Sequence, residues 1–308
     1  PHNADEGACR SFYENDRHCQ RRESVTIGFG IDCRGCFFFA GYRSPELAAN
    51  QDSDWRNYGM TEQARVALVT GGTGGIGTAI CERLAKDGYK VVANCHPSEV
   101  EAAAAWKADR AAAGFEIDTF AADVSSYEDS VRMAEEIKST FGPVVVLVNC
   151  AGITRDKTFK KMESAHWEAV INVNLNSVFN AARPVWEGML EQGFGRIVNI
   201  SSVNGQRGQF GQANYSAAKA GMHGFTMALA QEGAAKGVTV NTISPGYVET
   251  DMTKAMRDDV REAIIAGVPM RRMGSPEEIA AAVSFLVAEE NGYVTGANIP
   301  VNGGLFMH

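Results

Sequence analysis

The chain has 308 residues, 45% of them hydrophobic and 21% charged, and a formal net charge of -8. This composition is typical of a globular protein, and the acidic balance argues against the broad basic surface that a nucleic-acid-binding protein needs. No stretch reaches the roughly 18 consecutive apolar residues of a membrane span, and no signal-peptide pattern is present. We therefore expect a cytoplasmic protein that binds neither nucleic acid nor a membrane.

The first 59 residues differ from the remainder because they contain seven arginines and no lysine. They also hold four of the seven cysteines, Cys9, Cys19, Cys33 and Cys36. One interpretation is a zinc site that combines the Cys33-x-x-Cys36 pair with another cysteine, His2 or His18. The other interpretation, which we prefer, is a leader over residues 1–59 that does not fold and binds no metal, followed by one domain over residues 60–308.

From Val66 onward, short apolar runs alternate with segments of helical periodicity. The predicted strands are Val66–Val69, Lys90–Ala93, Ile117–Ala121, Val144–Val148, Ile197–Ile200, Val238–Ile243 and Ile299–Val301. The predicted helices are Ile76–Lys86, Glu99–Ala113, Tyr127–Phe141, Ser164–Gln192, Tyr215–Lys236, Thr250–Ala266 and Pro276–Ala288. This alternation predicts an α/β fold with a doubly wound, Rossmann-like parallel sheet and helices on both faces.

A glycine-rich turn, Thr70-Gly71-Gly72-Thr73-Gly74-Gly75-Ile76-Gly77, joins the first predicted strand to the first helix. Glycine allows a tight turn and a close approach to a pyrophosphate, and the helix N-terminus offers free N–H groups to the phosphates. The position of this turn within a βαβ unit therefore predicts a dinucleotide site. The expected cofactor contacts in the turn are Gly71, Thr73, Gly75, Ile76 and Gly77.

Tyr215 and Lys219 lie four residues apart on a predicted helix, so their side chains share one face. Reduction of a ketone needs a proton donor, and a nearby ammonium makes a tyrosine hydroxyl a better acid. Ser202, at the end of the fifth strand, can hydrogen-bond a substrate carbonyl, whereas the alternation of the strand sends Ser201 to the other face. His223, four residues after Lys219, is interpreted as a packed helix histidine.

The spacing T-G-x-x-x-G-x-G resembles the fingerprint of the short-chain dehydrogenase/reductase family, and the resemblance covers residues 62–308. Further motifs follow in the family's order: Asp123-Val124, then Asn149-Cys150-Ala151-Gly152, in which Cys150 replaces an asparagine, then Pro245-Gly246 with Thr250. The resemblance implies a catalytic tetrad of Asn174, Ser202, Tyr215 and Lys219, with Asn172 as the competing choice for Asn174. It also implies cofactor contacts at Asp123, Val124, Asn149, Ala151, Gly152, Tyr215, Lys219, Pro245, Gly246 and Thr250.

The end of the second strand, Asn94-Cys95-His96, carries no carboxylate of the kind that usually binds the ribose of NAD. This favours NADP(H), with His96 as a candidate donor to the 2′-phosphate. The run from Ser201 to Gly221 resembles family members that reduce 3-oxoacyl thioesters. It implies NADPH-dependent reduction of acetoacetyl-CoA to (R)-3-hydroxybutyryl-CoA, as in polyhydroxybutyrate synthesis, or, as the alternative, a 3-oxoacyl-[acyl-carrier-protein] reductase of fatty-acid synthesis.

The same resemblance implies which residues contact the substrate and how the chains assemble. The acyl pocket is expected to include Gln209, Phe210, Gln212 and Tyr247. A bulky Phe210 suits a short acyl chain. The family also suggests a homotetramer, with the long helices and the C-terminal strand at the interfaces.

Overall fold

A computed structural model of the protein describes residues 64–250, 253 and 255–307. The leader predicted over residues 1–59, with its alternative zinc site at Cys33 and Cys36, lies outside the described residues, and so does the start of the predicted domain at residue 60. The described residues all fall within one unit, Thr61–His308. Of the helices described, none is both long enough and apolar enough to cross a membrane.

Seven strands form one parallel sheet, which confirms the predicted fold class. The strands are β1 Val66–Thr70, β2 Lys90–Cys95, β3 Ile117–Ala121, β4 Val144–Asn149, β5 Gly195–Ile200, β6 Val238–Pro245 and β7 Asn298–Val301. Their order in the sheet is β3-β2-β1-β4-β5-β6-β7. The chain therefore reverses its direction of winding between β1 and β4, and in such sheets ligands bind at the carboxyl ends of the strands near that switch point.

Helices cover both faces of the sheet. They are α1 Gly75–Lys86, α2 Val100–Ala112, α3 Tyr127–Phe141, α4 Ser164–Ile171, α5 Ser177–Gln192, α6 Val203–Arg207, α7 Ala213–Gly233, α8 Asp258–Gly267 and α9 Pro276–Val287. Alternate residues of β1 enter two separate cores: Val69 packs with residues of α1 and α9, and Leu68 packs with residues of α3 and α5. Because both faces are buried, every residue of β1 is buried, as its apolar run predicts.

Two helix predictions were wrong in detail, and one short helix was not predicted. The predicted helix Ser164–Gln192 is interrupted by a π-helical segment, Asn172–Asn176, which separates α4 from α5. The five-residue α6 was not predicted, since so short a segment carries too little periodicity. Within the helix predicted over Thr250–Ala266, residue 253 is helical, residues 255–257 are not, and α8 begins at Asp258. At its predicted start the N–H of Thr250 donates to Thr253 Oγ1 at 2.8 Å, the kind of bond that an N3 side chain makes to the N-cap at the start of a helix.

The glycine turn between β1 and α1 generates the first prediction. A Cβ on Gly77 would lie 2.2 Å from the carbonyl oxygen of Gly71, whereas a Cβ on Gly74 would meet nothing closer than 3.5 Å. We expect Gly77→Ala to lower the free energy of unfolding by about 2 kcal/mol or more, because backbone cannot move aside. Gly74→Ala, the matched control, should change it by less than about 1 kcal/mol. Urea denaturation measures both, and equal effects would contradict the packing explanation.

Candidate active site

The turn after β1 is packed so closely that Gly71 and Gly72 have no room for a side chain. Gly71 has a φ of +61°, and a Cβ there would lie 2.9 Å from Ala151 Cα. A Cβ on Gly72 would lie 2.7 Å from Ala93 Cβ. Helix α1 then begins with no side-chain cap and no acidic residue in its first turn, so its N-terminal N–H groups are available to an anion. The residues present therefore fit the phosphates of a dinucleotide.

Asn94, which was not assigned a role from the sequence, holds this turn to the sheet. The side chain is buried, and its Oδ1 accepts a hydrogen bond from the N–H of Gly71 at 3.3 Å. Its Nδ2 donates to the backbone oxygens of Cys95, Phe120 and Ala122 at 3.0 to 3.3 Å. In the sequence, the only indication of this role is that the amide of Asn94 directly follows the apolar run Val91-Val92-Ala93. Asn94 thus joins the glycine turn to the carboxyl ends of β2 and β3.

His96 and Asp123 lie close together at the carboxyl ends of β2 and β3. His96 Nε2 is 3.9 Å from Asp123 Oδ2, and both side chains are more than one third exposed. His96 Nδ1 accepts from the N–H of Ser98 at 3.2 Å, which caps a short 3₁₀ turn. Asn180 on α5 donates to the backbone oxygen of Val124 at 3.0 Å. The structure therefore groups His96, Asp123 and Val124 beside the glycine turn.

The turn after β4 is held by two polar side chains. Thr70 Oγ1 accepts from the N–H groups of Cys150 and Ala151 at 3.1 and 3.2 Å. Asn174, in the π-helical segment, accepts from the N–H of Ile153 at 2.8 Å and donates to its carbonyl at 2.9 Å. These two bonds hold the side chain of Asn174 against the turn after β4. Asn172, the competing choice, instead accepts from Asn176 Nδ2 at 2.7 Å.

Asn149 and Gly152, the ends of the motif after β4, have different environments. The Asn149 side chain is buried and donates to Asn199 Oδ1 at 2.8 Å, so it supports the sheet from the interior. Gly152 is exposed, and a Cβ there would lie 3.5 Å from Asn174 Oδ1 and 3.6 Å from Lys219 Nζ. The amide of Asn174 and the ammonium of Lys219 therefore border the same side of Gly152.

Ser202, Tyr215 and Lys219 converge where β5 ends and α7 begins. Ser202 caps α6 by accepting from the N–H of Asn204 at 3.1 Å, and its hydroxyl lies near enough to Tyr215 to lower the pKa of the phenol. Lys219 Nζ lies 5.7 Å from the centre of the Tyr215 ring and donates to the carbonyl of Ile200 at 2.7 Å. This group places a hydroxyl hydrogen-bond donor, a phenol and an ammonium together, and it can deliver a proton to a bound carbonyl oxygen.

Burial changes the pKa of each titratable group in this cluster. It lowers the pKa of Lys219 to about 8 and raises the pKa of the adjacent Cys150 thiol to about 11. Burial also raises the pKa of Tyr215, and the hydrogen bond from Ser202 partly offsets this increase. Below pH 8 the site therefore holds a neutral phenol beside a charged ammonium and a neutral thiol.

Ser201 and His223 also lie near Lys219, but they contact its backbone side and not the cluster of Ser202 and Tyr215. Ser201 Oγ donates to the backbone carbonyl of Lys219 at 2.8 Å, and His223 Nε2 lies 3.0 Å from the same hydroxyl. Ser244 Oγ, 3.4 Å from His223 Nε2, donates to Asn298 Oδ1 at 2.8 Å. Because both serine protons are committed elsewhere, Nε2 of His223 must carry the hydrogen that these bonds require. Lys219 is thus attached to β5 by its side chain and by its backbone.

The predicted substrate residues fall into two groups. Gln212 Oε1 accepts from Asn204 at 3.0 Å and Gln212 Nε2 donates to Asp156 at 2.8 Å, while the neighbouring Phe210 is 87% exposed. Gln209, also exposed, accepts from Arg207 at 3.5 Å. Tyr247 lines a cavity of about 520 Å³ whose other lining residues come from segments 268–278 and 300–307. That cavity includes none of the residues between Ser202 and Tyr215.

The segment after β6 closes the cofactor side of the site. Pro245 is the last residue of β6, and the N–H of Gly246 donates to the carbonyl of Val301 at 2.9 Å. A Cβ on Gly75 would lie 3.1 Å from Thr250 Cγ2. Thr250 therefore lies directly against the start of α1, although 175 positions separate the two residues in the sequence.

Comparison with known proteins agrees with this geometry. A family model described as short chain dehydrogenase matches residues 65–261. The chain is 78% identical over 245 residues to an acetoacetyl-CoA reductase from Allochromatium vinosum, covering 80% of this chain and 100% of that protein. It is 56% identical over 243 residues to an acetoacetyl-CoA reductase from Cupriavidus necator, covering 79% and 98%. A 3-oxoacyl-[acyl-carrier-protein] reductase from Vibrio cholerae is 45% identical over 248 residues, covering 80% and 100%.

The lowered pKa of Lys219 predicts a dependence of stability on pH. Between pH 8 and the ordinary lysine value of 10.5, the unfolded chain binds more protons than the folded protein at this residue, so stability should rise with pH. Relative to Lys219→Met, the wild-type free energy of unfolding should increase by about 3 kcal/mol across this range. Urea denaturation at pH 7, 8.5 and 10 measures the difference. A difference that does not change with pH would mean that Lys219 is not desolvated.

Proposed function

The chain belongs to the short-chain dehydrogenase family and is an oxidoreductase, and we propose that it reduces acetoacetyl-CoA to (R)-3-hydroxybutyryl-CoA with NADPH. The observation that carries this proposal is the convergence of Ser202, Tyr215 and Lys219 beside a glycine turn that fits a dinucleotide. The names of the two reductases at 78% and 56% identity support the acetoacetyl thioester as substrate.

In this proposal Tyr215 is the proton donor to the keto oxygen at C3 of the acyl group. Ser202 donates a hydrogen bond to the same oxygen and stabilises the negative charge that develops there. A bound nicotinamide cofactor supplies the hydride. The ammonium of Lys219 favours the phenolate that Tyr215 leaves after proton transfer, because opposite charges lie close together in a buried site. Asn174 is a positioning residue that holds the turn at Ile153 next to Lys219.

The cofactor would be held by the residues at the carboxyl ends of β1, β2, β4 and β6. The turn from Gly71 to Gly77 would bind the pyrophosphate, and Thr250 would contact the nicotinamide end. The carboxyl end of β2 carries Asn94, Cys95 and His96, so it has no carboxylate of its own to bind a ribose 2′-hydroxyl, and the nearby Asp123 lies 3.9 Å from His96 Nε2. We therefore propose NADP(H) rather than NAD(H), with His96 as a donor to the 2′-phosphate.

We further propose a cytoplasmic homotetramer. The three cysteines in the described part of the chain, Cys81, Cys95 and Cys150, are free thiols, which suits a reducing compartment. Large apolar side chains are exposed on several helices, among them Phe179 on α5 and Phe285 on α9. Exposed apolar surface of this kind is typical of faces that associate.

Replacing the proton donor tests the proposed reaction. Tyr215→Phe should lower kcat for acetoacetyl-CoA by roughly 100-fold or more, because general acid catalysis is lost while the ring still packs. The readout is NADPH oxidation followed by its absorbance. Tyr293→Phe, at a fully exposed tyrosine, is the matched control and should retain wild-type kcat. Equal activity of wild type and Tyr215→Phe would overturn the assignment of Tyr215.

The alternative function, a 3-oxoacyl-[acyl-carrier-protein] reductase, differs from the main proposal in the thioester that the enzyme reduces. The same wild-type enzyme is assayed with acetoacetyl-CoA and with the acetoacetyl thioester of acyl carrier protein. A higher kcat/KM for the coenzyme A thioester supports the main proposal. Turnover of the carrier-protein thioester alone would instead support the 3-oxoacyl-[acyl-carrier-protein] reductase, whose relative from Vibrio cholerae is 45% identical.

The cofactor proposal predicts the effect of a new charge at the end of β2. His96→Asp should lower kcat/KM for NADPH by at least about tenfold, because a carboxylate would repel the 2′-phosphate. It should leave kcat/KM for NADH nearly unchanged. His96→Asn is the matched control, since asparagine also caps the 3₁₀ turn that His96 caps but adds no charge. If both variants keep the wild-type preference, His96 does not lie near the ribose.

A further inference from the structure

A basic segment follows β4 at the carboxyl edge of the sheet. Residues 154–163 carry four basic side chains, Arg155, Lys157, Lys160 and Lys161, and two acidic ones, Asp156 and Glu163, in a chain whose net charge is -8. All four basic residues are exposed. Both carboxylates accept hydrogen bonds, Asp156 from Gln212 and Glu163 from the first turn of α4. We call Lys157, Lys160 and Lys161, with Phe159 between them, the basic rim.

The basic rim borders the opening of the active site. The N–H of Lys157 donates to the carbonyl of Gly211 at 2.9 Å, next to the exposed Phe210. Asn214, the residue before Tyr215, donates to the carbonyl of Arg155 at 3.2 Å and accepts from the N–H of Tyr215 at 2.8 Å. One side-chain amide therefore connects the start of the rim segment to the proposed proton donor.

The rim presents charge and aromatic surface without internal partners. Within the described part of the chain, no carboxylate lies at ion-pair distance from Lys157, Lys160 or Lys161, whereas most arginines there are paired. Phe159 is 78% exposed between these lysines. Unpaired lysines repel one another, and an exposed phenyl ring contributes nothing to the core. Together they match a ligand that has several phosphates and a flat aromatic ring.

We propose that the basic rim binds the 3′-phospho-ADP part of coenzyme A, with the lysines on the phosphates and Phe159 against the adenine ring. This inference rests on the proposed function and extends it from the acyl group to the nucleotide. The pantetheine arm separates the thioester from the diphosphate, so the nucleotide must be bound outside the acyl pocket, on the surface around it. Ammonium groups attract phosphates as point charges, and aromatic rings stack on bases.

The test compares two thioesters that share the acyl group. Acetoacetyl-CoA carries the nucleotide, and acetoacetyl-pantetheine lacks it. In a Lys160→Gln, Lys161→Gln double variant, KM for acetoacetyl-CoA should rise roughly tenfold with unchanged kcat, because two phosphate contacts are lost. KM for acetoacetyl-pantetheine should not change. Added salt should raise the wild-type KM for acetoacetyl-CoA only, because it screens exposed charges.

Lys138→Gln is the matched control for loss of a surface lysine. Lys138 is exposed in the last turn of α3, which leads into β4 and therefore lies at the opposite edge of the sheet. The Lys138→Gln substitution should leave KM unchanged for both acetoacetyl-CoA and acetoacetyl-pantetheine. The Phe159→Leu variant should raise KM for acetoacetyl-CoA a few-fold, because a leucine keeps apolar bulk but cannot stack on a base.

Each contrary outcome has a distinct meaning. An unchanged KM for acetoacetyl-CoA in the double variant would overturn the rim as a nucleotide site. An equal rise for both thioesters would overturn it too, since the lysines would then support the acyl pocket. The double variant is also assayed with the acetoacetyl thioester of acyl carrier protein, and a rise in KM confined to that substrate would make the rim a protein-docking surface instead. If wild type reduces neither small thioester, the proposed function itself fails, and the inference fails with it.

Discussion

The buried ammonium of Lys219 is the constraint on which the rest of the active site depends. A charged group in a low-dielectric interior is unfavourable unless it is hydrogen-bonded, and burial lowers the pKa of Lys219 to about 8. The structure holds the ammonium with the carbonyl of Ile200 and holds its backbone carbonyl with Ser201. Both bonds come from the end of β5, immediately before Ser202. The arrangement that keeps the lysine buried therefore also fixes the serine.

A second constraint acts on the cofactor side, where the backbone itself forms the surface. The glycine turn lies against Ala151 and Ala93, leaving no room for side chains at Gly71 and Gly72. Polar side chains at the ends of neighbouring strands then hold the turn in place: Thr70 bonds the turn after β4, and Asn94 bonds the turn after β1. Thr70 on β1 and Asn94 on β2 thus each fix the loop that follows a neighbouring strand, and these loops border the crevice at the switch point.

The charge of the described surface differs from one side of this crevice to the other. Asp123 lies beside His96 near the proposed adenosine end, while the basic rim is bonded to Gly211 through the backbone N–H of Lys157. In the proposed complex, backbone N–H groups at the start of α1 would bind the phosphates of the dinucleotide, and exposed ammonium groups would bind those of the thioester.

The sequence by itself determined the parallel sheet, the glycine turn and the pairing of Tyr215 with Lys219, because each depends on residues close together in the chain. Apolar runs identify buried strands, and a spacing of four places two side chains on one face of a helix. Only the tertiary structure decided the π-helical segment at Asn174, the role of Asn94 and the separation of Tyr247 from Gln212. Their partners lie far along the chain: 21 positions for Asn174, and 23 to 28 for Asn94. Local periodicity carries no record of bonds over such distances, since they form only when the strands have assembled side by side.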